Sequence, residues 1–258
     1  MFWTDNDHSF CESKILGLPE YINSITSLFI SFFGIYGLCN KMNDNFVDML
    51  YSILFIIGIG SFGYHYTGNI GWGLLDEIPM ILLVFLNIIY VNNIYNELTL
   101  NNCNIIIYKI KLLLILFLMI LFIICDTMSI FRLLFPIIFT LSSLYLCNDI
   151  YNIIILTKKD ILYYFYDNMK IIILSGLIWF VTELPCKYIN YRILLLGHPL
   201  WHLFIGYGFY NILQIIYYVK LQILYKNRIK YNLQYNKFYI LNINYNIITF
   251  EENDKENI

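Results

Sequence analysis

Three histidines are the residues of this chain whose types and spacing most directly suggest chemistry. His198 and His202 are four residues apart, so on a helix they lie on the same face. His65 belongs to a different apolar segment, and the only other histidine is His8. Two imidazoles from one helix and a third from elsewhere form the ligand set of a catalytic zinc ion with an open fourth position. The spacing therefore predicts a metal site.

A hydroxyl and a carboxylate accompany His65. Ser61 precedes His65 by four residues, and Asp76 follows it by eleven across a short GNIGWG turn. Two helices joined by such a turn pack antiparallel, which would return Asp76 to the side of His65. Ionisable groups within a membrane span cost roughly 2.5–3.5 kcal/mol each on insertion scales and usually face a functional cavity. Asp76 and Ser61 are therefore expected to lie at the same site as His65.

Each of these residues also has a simpler interpretation, which the sequence leaves open. The histidines could lie at helix ends among the lipid headgroups, hydrogen-bonded to water. Ser61 could be a small residue that allows close helix packing. Asp76 could cap a helix, where a carboxylate also suits the helix dipole.

The elements that position these residues must be membrane helices. Hydrophobic residues make up 59% of the chain, charged residues 13%, and the mean hydropathy is +0.64. A soluble domain carries about a quarter charged residues. The net charge of -2 offers no basic surface for nucleic acid, and no protein partner is evident. The predicted class is an all-α, multi-pass membrane protein.

Seven segments approach the length of about 20 apolar residues that a membrane-spanning helix needs. They are 18–39, 47–67, 73–93, 104–125, 128–155, 169–190 and 196–219. We therefore expect an N-terminal segment at 1–17, a seven-helix catalytic domain at 18–219 and a polar tail at 220–258. The tail is expected to be irregular and, at its acidic end, disordered.

The distribution of lysine and arginine predicts the orientation of this bundle. Up to residue 237, eleven of them fall on the side that includes the C-terminus, and four on the other. The four are Lys14, Arg132, Lys187 and Arg192. The C-terminus is therefore expected in the cytosol and the N-terminus in a lumen. All three histidines then lie at the luminal ends of their helices.

Four stretches, in order along the chain, resemble the alkaline ceramidases. Residues 60–80 read GSFGYHYTGNIGWGLLDEIPM, similar to the family signature G-S-x-x-F-H … L-D-E-L-P-M. Residues 197–210 read GHPLWHLFIGYGFY, similar to H-x-x-W-H. Residues 179–186 read WFVTELPC, similar to W-x-x-x-D-x-x-C. FCES (10–13) and EYIN (20–23) resemble the amino-terminal block D-W-C-E … E-F-x-N.

The resemblance implies seven helices around a zinc ion, a fold shared with the adiponectin and progestin receptors. It assigns His65, His198 and His202 as zinc ligands. It assigns Asp76 to hold and deprotonate the attacking water, and Ser61 to support the developing oxyanion. The implied reaction is hydrolysis of the ceramide amide to sphingosine and a free fatty acid, in the membrane of the endoplasmic reticulum or Golgi.

The amino-terminal block of the family also binds calcium, and here the chain departs from the pattern. Glu12 and Glu20 match two of the calcium ligands, but Ser9 and Lys14 stand where the family has an aspartate and an asparagine. Calcium prefers several oxygen ligands, and an ammonium group nearby opposes its binding. An aspartate earlier in the segment could substitute. The sequence leaves open whether this calcium site is retained.

Two cysteines are expected at the luminal side, Cys11 in the N-terminal segment and Cys186 near the end of the sixth span. The lumen is oxidising, so they could form a disulfide, and the family has cysteines at both places. Two other functions remain open. One is a related hydrolase that cuts an ester in a phospholipid or glycolipid anchor, and the other is a receptor of the adiponectin or progestin type.

Overall fold

The computed structural model describes most of the chain between residues 10 and 247. The described residues are 10–40, 44–99, 113–114, 117–118, 120–121, 123–124, 134–157, 159–189, 191–224, 229–236 and 240–247. Helices dominate them. We label the longer helices α1 (Cys11–Leu16), α2 (Tyr21–Cys39), α3 (Asn45–Thr67), α4 (Ile70–Thr99), α5 (Leu134–Thr157), α6 (Leu162–Glu183) and α7 (Gly197–Leu224). Short 3-10 helices cover Lys159–Ile161, Pro185–Lys187 and Arg192–Leu196.

Five helices among the described residues are long and apolar enough to cross a membrane. They are α2, α3, α4, α5, and α6 together with the turn before it (Lys159–Glu183). These helices indicate a multi-pass membrane protein. The long helix α7 coincides with the predicted span 196–219, but it is not among the five. The predicted span 104–125 lies mostly outside the described residues, so the number seven stays a prediction.

The sixth predicted span, 169–190, was wrong at both ends. Helix α6 covers Leu162–Glu183, so it begins and ends seven residues earlier. Its end has a local cause, because Pro185 has no backbone N–H to donate and its ring clashes with the carbonyl one turn earlier in a continuing helix. The chain turns there into a 3-10 helix. The shift leaves Glu183 at the last position of the helix.

Helices α2, α3, α4 and α7 form the part of the bundle that positions the site, with α2 against α3 and α7, and α3 against α4. Gly68 ends α3 with a φ of 68°, a left-handed conformation that glycine adopts without strain. The chain can therefore reverse directly into α4. A Cβ atom at Gly60 would collide with the backbone of Leu75 and Asp76. The glycine thus brings α3 and α4 into closest contact beside Asp76.

The tail is not irregular in its described part. An antiparallel hairpin pairs β1 (Ile229–Tyr235) with β2 (Leu241–Ile247), and its strands pack against α7. Leu233 and Leu241 are buried in the core. The second strand reads LNINYNI, in which every other residue is apolar, and this is the two-residue period of a half-buried strand. The expected disorder at the end of the tail concerns residues 248–258, which lie outside the described residues.

Candidate metal site

The three histidines predicted as ligands come together in the interior of the protein. His65 is supplied by the end of α3, and His198 and His202 by the start of α7. Their ring centroids are 4.7 Å apart for His65 and His198, 5.1 Å for His65 and His202, and 4.7 Å for His198 and His202. All three are buried, and one nitrogen from each ring lies within 4.8 Å of the others. They could hold a metal ion.

Two of the histidines are backed by carboxylates. The Nδ1 atom of His65 lies 2.6 Å from Oε2 of Glu20, and the backbone N–H of Glu20 donates to the carbonyl of His65. The Nδ1 atom of His198 lies 3.1 Å from Oε1 of Glu183. Both glutamates are buried or nearly so. A carboxylate behind a ligating imidazole fixes its tautomer and orientation and raises its basicity.

The third histidine is backed by hydroxyl groups instead. The Nδ1 atom of His202 lies 3.1 Å from Oγ1 of Thr26 and 3.5 Å from Oγ of Ser27, both on α2. With Nδ1 facing these outer partners, the nitrogen that each of the three rings can offer to a metal is Nε2. Three buried imidazoles, each oriented by a contact at its Nδ1 atom, fit the ligand set of a zinc ion.

Asp76 and Ser61 lie near the histidines, and their catalytic roles stay a prediction. The Ser61 hydroxyl hydrogen-bonds the Asp76 carboxyl group, which also interacts electrostatically with His198. The Oγ atom of Ser61 is 3.1 Å from Oγ of Ser27. Asp76 stands well inside α4, which begins at Ile70, so it does not cap that helix. Ser61 makes specific hydrogen bonds and is more than a small packing residue.

The short segment of Phe10 and α1, which we call the strap (residues 10–16), covers the histidines. Cys11 and Cys186 form a disulfide with their Cα atoms 5.5 Å apart, which confirms the predicted pair. The backbone N–H of Cys11 donates to Oε2 of Glu183 over 2.8 Å. The Phe10 ring lies edge-on to His198 with a centroid distance of 4.6 Å. The strap is therefore connected to a predicted metal ligand through Glu183.

Glu12, also in the strap, acts as a cap for α2. Its two carboxylate oxygens accept the backbone N–H groups of Ile22 and Asn23, each over 2.8 Å. These N–H groups belong to the first turn of the helix, where no intrahelical partner is available. A negative charge there also suits the helix dipole. The strap and the start of α2 are thereby held together.

The described residues contain only part of the predicted calcium site. Both Glu12 oxygens accept backbone donors, and Oε2 of Glu20 faces His65 and the side-chain amide of Asn23. Lys14 is exposed. Calcium takes six to eight oxygen ligands, and Ser9 and the residues before it lie outside the described part of the chain. The calcium site stays a prediction, and no step below depends on it.

Sequence reasoning missed the residues that stand behind the histidines. Glu183 was quoted within the WFVTELPC stretch but received no role. Glu20 was assigned to calcium rather than to His65. Thr26 and Ser27 drew no attention, although a hydroxyl pair one turn into a membrane helix is a polar signal in an apolar segment.

The fold and the geometry of the site define a class. The chain is a multi-pass helical membrane protein with three buried, converging histidines that could hold a metal ion. The protein family described as Ceramidase matches residues 6–245, a range that contains the strap and every site residue named above. The chain belongs to the Ceramidase family, which confirms the resemblance. A comparison with curated proteins finds no match. Membership implies a hydrolase that acts on an amide.

Proposed function

We propose that the protein hydrolyses the amide bond of ceramide to sphingosine and a free fatty acid, using a zinc ion held by His65, His198 and His202. The observation that carries the proposal is the buried cluster itself, in which each histidine has its Nδ1 atom engaged from outside. Membership of the Ceramidase family supplies the substrate.

A zinc ion bound at three histidines supplies two kinds of chemistry, since it lowers the pKa of a water molecule to about 7 and polarises a carbonyl oxygen. The other steps fall to residues of the chain. Asp76 takes a proton from the attacking water and delivers it to the amide nitrogen as the carbon–nitrogen bond breaks. While Asp76 is a carboxylate, the Ser61 hydroxyl donates to it and orients it. Once Asp76 has taken the proton of the attacking water, the Ser61 hydroxyl turns to donate toward the oxygen on which negative charge develops.

The glutamates have an indirect role in this proposal. Glu20 and Glu183 hold the rings of His65 and His198 in the orientation that a metal ion needs. Their charges also offset the positive charge of the ion in a site from which the surrounding helices exclude water. The strap fixes Glu183 from the other side through the backbone of Cys11.

The location of the protein belongs to the proposal as well. Five apolar helices fit an integral membrane protein, and we propose the endoplasmic reticulum or Golgi membrane. The distribution of positive charges supports an orientation with the histidine end toward the lumen and the hairpin end toward the cytosol. A disulfide between Cys11 and Cys186 agrees with a lumen that is oxidising.

The direct test is hydrolysis of a fluorescent ceramide by the purified protein in detergent micelles. Wild-type protein should release the labelled fatty acid. Asp76→Asn should lower kcat by about 10²–10⁴-fold, the range typical of a lost general acid–base, and His198→Ala should remove activity. Glu97→Gln, at an exposed position on α4, is the matched control.

Full activity in Asp76→Asn or His198→Ala would contradict the mechanism. The substrate is tested in the same assay with a phospholipid that carries an equivalent ester. Cleavage of the ester with ceramide left intact would replace the proposed function by the related ester hydrolase. In cells, depletion of the protein should raise ceramide and lower sphingosine, whereas unchanged sphingolipids would speak against the proposal.

A further inference from the structure

We propose that two neighbouring residues of α2 support different functions of this site: Thr26 supports metal binding, and Ser27 supports turnover. Thr26 orients His202 as a metal ligand, and Ser27 positions the pair Ser61–Asp76. The inference rests on the proposed function, because it assigns roles toward the zinc ion and the hydrolytic step.

Thr26 is the nearer of the two hydroxyls to His202. Its Oγ1 atom lies 3.1 Å from Nδ1 of the ring, against 3.5 Å for Oγ of Ser27. The Thr26 hydroxyl donates its own proton to the backbone carbonyl of Ile22 over 2.8 Å. Its oxygen therefore accepts the N–H of the imidazole, which fixes the tautomer that presents Nε2 to a metal.

Ser27 faces Ser61 more closely than it faces His202. It is fully buried, and its Oγ atom lies 3.1 Å from Oγ of Ser61. Ser27 is the donor in this bond, which leaves the single proton of Ser61 for the Asp76 carboxyl group, with which Ser61 also interacts. The same Ser27 hydroxyl also donates to the backbone carbonyl of Asn23 over 2.8 Å, so its proton is shared between that carbonyl and Ser61.

The hydrogen bonds thus run in one direction, from Ser27 to Ser61 and from Ser61 to Asp76. Ser27 does not touch the reacting atoms in this arrangement. It holds the oxygen of Ser61 in place, and Ser61 in turn holds the carboxyl group that transfers the proton. Ser27 is therefore a positioning residue.

A buried serine one turn further along α2 provides the matched control. Ser31 is also buried, and its hydroxyl donates to the backbone carbonyl of Phe55 on α3 over 2.8 Å. It has the same residue type, the same helix and the same neighbouring helix as Ser27, but within the described part of the chain its hydroxyl makes no hydrogen bond to the histidines, Ser61 or Asp76. Replacing it removes a buried hydroxyl without touching the site.

The experiment compares Thr26→Val, Ser27→Ala and Ser31→Ala in the purified full chain. Zinc affinity is measured by competition with a chromophoric chelator, and kcat and KM are measured on fluorescent ceramide. Thr26→Val should weaken zinc binding about tenfold, the lower end of effects seen for groups behind metal ligands. Ser27→Ala should keep zinc affinity within about threefold and lower kcat about tenfold with KM unchanged, as a lost positioning hydrogen bond would. Ser31→Ala should change neither.

A second comparison tests the route of the effect. If Ser27 acts through Ser61, then Ser27→Ala in a Ser61→Ala background should not lower kcat further. Melting temperatures of the zinc-free and zinc-loaded variants show whether each variant folds. If Ser27→Ala does not fold, Ser27→Thr replaces it in the comparison. Because Ser27→Thr keeps a hydroxyl at this position, it should hydrolyse ceramide at close to the wild-type kcat.

Several results would overturn the inference. They are a wild-type kcat in Ser27→Ala, a loss of zinc affinity in Ser27→Ala as large as in Thr26→Val, and additive losses in the double variant. Wild-type protein that binds zinc but leaves ceramide intact would instead overturn the proposed function. That result would also overturn the role of Ser27 in turnover. The zinc affinities of wild-type protein and Thr26→Val would still test the role of Thr26.

Discussion

Two buried polar clusters lie on the same two helices, α3 and α7, and they differ in what their side chains can do. The histidine cluster (His65, His198 and His202) lies where α3 ends and α7 begins. The tyrosine cluster (Tyr51, Tyr210 and Gln214) lies further along α7 and nearer the start of α3. Both are almost inaccessible to solvent, and both have contacts to α2.

In the tyrosine cluster the polar groups point at one another. The Gln214 amide donates to the hydroxyls of Tyr51 (2.9 Å) and Tyr210 (3.1 Å), and Asn40, which follows α2 directly, donates to Tyr210 over 2.9 Å. The Tyr210 hydroxyl lies 3.3 Å from the carbonyl of Leu241 in the hairpin. These are neutral groups whose hydrogen bonds hold helices and hairpin together.

In the histidine cluster the side chains form hydrogen bonds with residues around the cluster rather than with one another. Glu20, Glu183 and Thr26 engage the outer ring nitrogens, so the inner ones converge on a common point. Buried polar groups that bond one another stabilise a fold, whereas groups held by an outer shell so that they converge form a binding site. The comparison predicts that changes at the two clusters affect different measured quantities.

The largest effect is expected at the strap, which belongs to the histidine end. Replacing Cys11 and Cys186 together by serine should lower the free energy of unfolding by about 2–4 kcal/mol, the typical contribution of a disulfide. Zinc affinity should fall as well, because the N–H of Cys11 orients Glu183. Thermal melting and chelator competition measure both. Cys39→Ser, at an exposed free thiol, is the control. Unchanged zinc affinity in the double variant would show that the strap does not contribute to zinc binding.

The next effect isolates the outer carboxylate. Glu183→Gln keeps the shape of the side chain and removes its charge, so zinc affinity should fall about 10–100-fold while the fold persists. Chelator competition at fixed pH gives the affinity, and circular dichroism reports the fold. Zinc binding as tight as in wild-type protein would show that the contact with His198 is structural only.

The tyrosine cluster should respond in the opposite way. Gln214→Leu removes the amide that bridges two tyrosine hydroxyls, and the unfolding free energy should fall by about 1–3 kcal/mol, the cost of leaving buried polar groups without their partner. Zinc affinity and kcat should stay at their wild-type values. A loss of zinc binding without a loss of stability would mean that the two clusters are coupled.

The smallest effect concerns an ion pair at the hairpin end. Asp44 accepts from Lys220 over 2.7 Å and from Tyr90 over 2.6 Å. Burial by itself raises the pKa of Asp44, but these hydrogen bonds outweigh burial and hold the pKa below its usual value. Asp44→Asn, which keeps an acceptor at the start of α3, should lower stability at neutral pH by about 0.5–1 kcal/mol.

The pH dependence of that loss follows from the sign of the shift. A lowered pKa in the folded state contributes stability above the unfolded pKa of about 3.9, and this contribution is lost as the pH falls through the folded pKa. Wild-type protein and Asp44→Asn should therefore differ in melting temperature at pH 7 and converge below about pH 4. A constant difference across this range would rule out the ion pair as its cause.

The spacing of residues predicted the centre of the site well. His198 and His202 share a helix face by their separation of four, and the short turn between α3 and α4 returns Asp76 toward Ser61 and His65. These are local relations, which helix geometry makes readable from sequence. The family motifs then supplied the roles, and the paired cysteines were also readable because both fall in motif stretches.

The outer shell was not predictable in the same way. Thr26 and His202 are 176 residues apart in sequence, and their contact depends on how α2 rotates against α7. A single sequence shows which face of each helix is polar, but it does not show which faces of different helices are in contact. The hairpin was missed for a different reason: its asparagine-rich strands were read by composition as an irregular tail, although alternation in LNINYNI carries a strand signal.

The central claim is that the three histidines hold a zinc ion that the reaction needs, and metal analysis of the purified protein tests it most directly. Elemental analysis of protein prepared without added chelator should find about one zinc per chain in wild type. In His198→Ala it should find much less, and ceramide hydrolysis should disappear with the metal and return when zinc is restored to the wild-type apoprotein. Metal-free wild-type protein that still hydrolyses ceramide would contradict the account.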